Sequence, residues 1–258
     1  MLTPEVLSGL GQALIATLLA MGVTLLARTR SIHMEREVLV AMLRGFLQVV
    51  LVGSVLVLVF QGPGLVSILI LLGMTLAAAS IAARRAKGIA GAFQVSLYGI
   101  GLGAGLVIAL MTSLGVIKTE MTSLIPLGSM LIANAMNSSA LALDRFKGEV
   151  QAHTGEIEAG LALGADPKQV VTPYVRAAVQ ASMIPRVDTL RSLGIVWIPG
   201  VMAGMLLAGS NPVYAAIYQF VVLAMIFSAS AMTSMVSTLL IRSRAFSPAE
   251  QLLLRKAG

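Results

Sequence analysis

Residues 93–114, FQVSLYGIGLGAGLVIALMTSL, run for 22 positions without a charge. A helix of about 20 apolar residues is what a bilayer's hydrocarbon core of roughly 30 Å requires. Soluble strands and helices rarely stay uncharged for so long. The glycines at 99, 101, 103 and 105 argue for the same reading. Taken in pairs four apart, they put small residues on one helix face and let another helix approach closely. A phosphate-cradling glycine loop would need a strand before it, and the residues ahead are the basic cluster Arg84, Arg85 and Lys87.

The rest of the chain repeats this pattern. Further apolar stretches lie at Leu7–Ala27, Val38–Phe60, Leu65–Ala83, Ile125–Leu143, Leu193–Ala208 and Val213–Ile241. With 93–114 they make seven expected spans in an all-α, polytopic integral membrane protein. The composition agrees: of 258 residues 57% are hydrophobic and 11% charged, and the mean hydropathy is +0.92. Soluble domains carry about 25% charged residues, so this chain lacks the charge to cover a water-facing surface. The first stretch is expected to stay in the mature protein. It is preceded by Met1 to Glu5 without a basic residue and followed by Arg28 and Arg30, the reverse of a secretory leader.

Charge sets an orientation. Arg28, Arg30 and Arg36 fall between spans one and two, and Arg84, Arg85 and Lys87 between three and four. Arg145, Lys147, Lys168, Arg176, Arg186 and Arg191 fall between five and six, and Arg242, Arg244, Arg255 and Lys256 follow span seven. The opposite side receives Lys118 alone, while Arg44 lies inside span two near its basic end. Lysine and arginine collect on the cytoplasmic side. The expectation is therefore an outside N-terminus, a cytoplasmic C-terminus and a multi-pass protein of the cell's inner, or plasma, membrane.

Several function classes fall away. Zero cysteines exclude disulfides, thiolate metal sites and cysteine nucleophiles. None of the 11 acidic residues lies in an apolar span, which weakens an ion-coupled carrier, because such carriers keep carboxylates at depth. No span holds a His/Asp/Glu cluster for acid–base chemistry, so the chain does not read as an enzyme. No cofactor is expected in this chain. There is no Walker A sequence, so any ATP and Mg would be held by a partner. His33 and His153 read as solvated residues of the basic connections.

Polar residues gather in span five, where Asn134, Asn137 and Ser138 follow helical spacing, with Met130 nearby. A buried amide in hydrocarbon needs a partner. This face either bonds a neighbouring helix or lines a substrate path, with methionine sulfur available to a soft metal. Metal ligands remain open. Pro199-Gly200, Gly204 and Gly209 give span six an expected break.

The long charged connection, about 144–191, carries Glu158-Ala159-Gly160-Leu161-Ala162-Leu163-Gly164. A short helix over 155–163 is expected, capped by Gly164, with Asp166-Pro167 opening the next turn. A second helical pattern over Lys168–Arg191 is expected to return toward the membrane and to lie partly along its surface, interrupted at Pro173 and Pro185.

Glu158-Ala159-Gly160-x-x-x-Gly164 resembles the Glu-Ala-Ala-x-x-x-Gly signature by which many ABC-transporter permeases dock on their ATPase subunits, with glycine in place of the second alanine. Further blocks are similar to the FetB-type permeases: Arg44 with Gln48, Pro126–Met130, Asn134–Asn137, Leu141–Arg145, Leu161–Ala165, Ile184–Asp188, Pro199–Gly204 and Tyr218-Gln219. They occur in the family's order over about residues 40–240. Ser129 and Val201 depart from the family's methionine pattern, which bears on metal ligation and leaves the fold untouched. The resemblance implies one permease domain over 1–258, a transport subunit for export of a metal, iron foremost, and relatives tied to plant aluminium tolerance. It implies docking of a separate ABC ATPase on Glu158, Ala159, Gly160 and Gly164, and two copies of the chain would match two ATPase subunits in a C2 homodimer. The alternative is an ATP-independent channel or secondary carrier for a metal or small solute. The substrate path would run by Met130, Asn134, Asn137 and Ser138.

Overall fold

Helix length follows from the apolar runs, and most helix ends fall where polar or turn-forming residues interrupt them. A computed structural model describes residues 4–31, 33–59, 65–86, 88–247 and 249–254. Phe60, Lys87, Arg255 and Lys256, used above for one helix end and three charges, lie outside them. The chain divides into two compact units, residues 1–62 and 63–258.

The first unit is a helical hairpin, α1 (Pro4–Arg28) against α2 (Glu35–Val59), each of 25 residues. At 1.5 Å per residue each is about 37 Å long, enough for a bilayer. Arg28 Nη1 lies 3.3 Å from Glu35 Oε1 across the turn, a pair whose arginine is exposed and whose energetic weight is small. No residue of α1 is buried, and leucines such as Leu19 and Leu26 stand fully outward. A helix apolar on all sides needs lipid around it.

The second unit holds α3 (Leu65–Ala83), α4 (Ala92–Ser113), α5 (Met121–Ala152), α6 (Thr154–Ala162), α7 (Pro167–Val170), α8 (Thr172–Ser192), α9 (Gly200–Leu207) and α10 (Pro212–Arg242). Helix α10 packs on α4, α5, α8 and α9, and α3 covers α4 and α5. Its contact with α4 depends on one of the two glycine pairs. A Cβ on Gly103 would stand 2.7 Å from the Thr233 backbone nitrogen and 2.9 Å from the Ala229 carbonyl oxygen. One on Gly99 would overlap the Ser237 hydroxyl, whereas Gly101 and Gly105 have nothing within 4 Å. Small hydroxyls complete the seam: Ser139 meets Ser237 at 3.0 Å, and Ser182 donates to Ser234 at 3.0 Å. Close backbone approach plus hydroxyl bonding is how helices associate in lipid.

One feature extends beyond the membrane plan read from the sequence. Helix α5 has 32 residues, about 48 Å, and continues past Leu143 where a loop was expected. Leu143, Phe146 and Val150 recur at helical spacing and bury into a second core with Ile157, Val171, Val175 and Ile241. That burial keeps α5 helical to Ala152. Helix α6 matches the expected short helix; Gly164 has φ +83°, the left-handed position after a helix end. Asp166 caps α7, accepting from the Lys168 and Gln169 amides.

Among the described residues six helices are long and apolar enough to cross a membrane: α1, α2, α3, α4, α5 and α10. The stretch Leu193–Ala208 is apolar, but only Gly200–Leu207 is helical, eight residues long, or about 12 Å. Before it the chain makes a tight turn in which Gly194 (φ +73°) donates to the Trp197 carbonyl. Gly194 and Pro199-Gly200 break what hydropathy alone reads as a span. Helix α8 also departs from expectation. It runs unbroken through Pro185, with Pro173 in its first turn, and instead of lying on a surface it buries Val175, Ala178 and Ser182 against α5 and α10.

Candidate functional site

The course of α8 brings a charge against the middle of an apolar stretch of α5. Arg186 Nη1 donates to Asn134 Oδ1 at 2.5 Å, and Arg186 Nε faces Ser138 Oγ at 3.4 Å. Asn134 is the midpoint of the apolar stretch Ile125–Leu143, so Arg186 stands at mid-depth and not in the basic connection where charge counting places it. Ionisable groups at such depth are costly and are kept facing polar or water-filled interior.

Arg186 opens into a cavity of about 520 Å³ between α5, α8, α9 and α10. Met130 and Asn134 line it from α5, Thr189 and Leu190 from α8, Trp197 and Pro199 from the break, and Gln219 and Phe227 from α10. Asn134 is oriented from within its own helix, its Nδ2 donating to the Met130 carbonyl at 2.8 Å. Gln219, 3% exposed, accepts from the Met202 amide through Oε1 at 3.2 Å. That bond ties the first turn of α9 to α10 and directs the Gln219 amide nitrogen to the remaining side.

Three of the four path residues expected from the sequence gather here. Met130 and Asn134 line the cavity, and buried Ser138 stands behind Arg186. Asn137 does not join them; it lines a smaller pocket of about 320 Å³ with Arg85, Met136 and Asp144. At 100° per residue, positions 137 and 138 look to different neighbours. Sequence reasoning missed Arg186, Gln219 and Trp197 as cavity residues. Among the described residues no group of three or more His, Cys, Asp or Glu is arranged to hold a metal ion.

The α6 motif sits on the second core. Ile157 anchors α6, while Ala159 is exposed and Leu163 is 89% exposed. Glu158 is half-buried and lines a pocket with Leu161 and the C-terminal stretch Glu250–Leu253. Leu252 and Leu254 bury in the same core, which draws this stretch against α6. Gly160, the position at which the docking signature has alanine, faces Val170; a Cβ there would meet Val170 Cγ2 at 3.3 Å, a tight contact with a side chain. Tyr174 donates to Glu156 Oε2 at 3.1 Å and stacks on His153 at 4.9 Å. Burial, then the Glu156 carboxylate, holds the Tyr174 phenol above its usual range.

A family model described as "Uncharacterised protein family (UPF0014)" matches residues 10–246. The chain is 30% identical to the "Probable iron export permease protein FetB" of Escherichia coli over 93% of each chain. It is 30% identical to the "UPF0014 membrane protein STAR2" of rice over 96% of this chain and 87% of the relative. Identity is again 30% to "Protein ALUMINUM SENSITIVE 3" of Arabidopsis thaliana, over 93% of this chain and 87% of that one. No solved structure matches. The resemblance to FetB-type permeases read from the residue blocks is borne out. The chain therefore belongs to the UPF0014 family and is a multi-pass helical membrane protein.

Proposed function

We propose that the chain is the permease subunit of an ABC transporter that exports metal, with iron as the first candidate, and is driven by a separate ATPase. The observation that carries this reading is the match over 93% of both chains to a protein named as a probable iron export permease. The α6 motif supports it physically. A permease that responds to closure of an ATPase needs a short element outside the membrane, rigidly joined to its spans. Helix α6 rests on the same core as the extensions of α5 and α10, so force applied at Ala159 and Leu163 passes into both.

The excess of basic residues at this end supports a cytoplasmic α6, where ATP and Mg on the partner would be found. Two permease copies related by a twofold axis would present two α6 elements to two ATPase subunits. Substrate would move past Arg186 as α8, α9 and α10 shift against α5, a rigid-body transition of the usual kind.

Reconstitution with the partner ATPase is the test. Glu158→Lys is expected to abolish permease stimulation of ATP hydrolysis while membrane insertion stays intact, because it reverses charge beside the C-terminal stretch. Unchanged stimulation in that variant contradicts docking at α6.

A further inference from the structure

The cavity wall is rich in donors and poor in acids. Arg186 brings a guanidinium with five N–H donors and no acceptor, of which two are used, on Asn134 and Ser138. Gln219 has its oxygen engaged by the Met202 amide, which leaves its NH2 group for whatever enters. Trp197 adds an indole N–H, which can only donate. The carbonyl oxygen of Asn134 is already taken up by Arg186. Among the described residues no Asp, Glu or His lines the cavity, and Asp188, two residues from Arg186, is exposed and pairs loosely with Arg191 at 3.9 Å.

The broken span adds a second, independent element. Gly200 and Val201, which open α9, line the same cavity. Helix N-termini carry partial positive charge and unsatisfied amides, and discontinuous membrane helices present such ends to anionic groups. An arginine fork and a half-helix N-terminus thus share one cavity of about 520 Å³. Both disfavour a bare cation there, and a lone Met130 thioether is a poor counterweight.

We infer that the Arg186 cavity receives an oxyanion, a carboxylate or phosphate group, so that metal would pass as an anionic complex and not as a free ion. Guanidinium is matched to such groups by its planar, two-pronged geometry. As an anion site the cavity stands on its own geometry; as a substrate site it rests on the transport reading.

Trp197 is the chain's one tryptophan, so tryptophan emission, excited beyond the tyrosine band, reports on this cavity in the purified permease. Inorganic phosphate and citrate are titrated against wild type, with manganese(II) alone as the cation arm. Saturable emission change is expected with either anion, weakened about tenfold or more in Arg186→Gln and largely retained in Arg186→Lys. Gln219→Glu keeps an acceptor for the Met202 amide, adds a negative charge and is expected to abolish anion binding, which serves where Arg186→Gln does not fold. Competition by phosphatidylglycerol in nanodiscs assigns the oxyanion to a lipid headgroup; failure of that lipid to compete with a bound anion assigns a soluble one. Saturable binding of manganese(II) alone that tightens in Arg186→Gln overturns the inference, as does the absence of any saturable anion effect. The permease alone suffices for this measurement. Intact anion binding without ATPase stimulation therefore removes the ABC reading and keeps the site, and the converse result does the opposite.

Discussion

Gly103→Ala is expected to lower the thermal unfolding temperature of the purified protein by roughly 6–12 °C, corresponding to about 3 kcal/mol. Gly103→Leu is expected to yield no folded protein at all. The added methyl would be 2.7 Å from the Thr233 backbone nitrogen and 2.9 Å from the Ala229 carbonyl oxygen. Neither neighbour is a side chain that can rotate away, so α4 and α10 must separate. Separation also disturbs the seam that buries Thr233 and Ser237 on α10 and Ser139 on α5. Gly101→Ala is the control within the same helix, since nothing lies within 4 Å of the added carbon. It is expected to leave stability unchanged or slightly raised through better helix propensity. Equal losses at both positions contradict the α4–α10 contact.

Ala159→Arg is expected to reduce stimulation of the partner ATPase about tenfold or more, as loss of a central contact in a packed interface does. The protein should remain inserted and monodisperse. Ala159 lies on the outward side of α6, away from buried Ile157, so a long charged side chain there meets solvent in the free permease and the ATPase groove in the complex. Glu158→Lys acts on the flank that the C-terminal stretch covers, and Ala159→Arg on the open face. Loss in the first with normal coupling in the second would move docking from the open face of α6 to that flank.

Much of the architecture was legible because apolar length dictates it. Leu65–Ala83 forms a helix with those bounds, and Val213–Ile241 differs from α10 by one residue at each end. Of the four glycines that open the reading, Gly99 and Gly103 pack as expected while Gly101 and Gly105 face open space; spacing shows that two faces exist and not which one meets a neighbour. The segment from α8 to α9 was misread for a physical reason. Hydropathy reports suitability for lipid, and α8 packs one face on α5 and α10 and turns Arg186 to the cavity, so its low apolarity disguised it as surface helix. Leu193–Ala208 erred the other way, apolar but broken at Gly194 and Pro199. One signal was present: Asn134 and Ser138, on an apolar helix, need a polar partner, and the nearly apolar run Ala177–Ile184 leads directly to Arg186. Gly160 was legible as a departure from the docking signature, but its neighbour Val170 is set by tertiary packing.

The central claim is that a separate ATPase grips this permease at α6 from the cytoplasm. The chain has no cysteine, so Leu163→Cys supplies a single reactive thiol at a highly exposed point of the motif. In intact membranes holding both subunits, a thiol-specific cross-linker is expected to join that position to the ATPase, and the reagent should reach it from the cytoplasmic side only. Labelling from the outer side, or no cross-link in membranes whose transporter is active, would contradict the account.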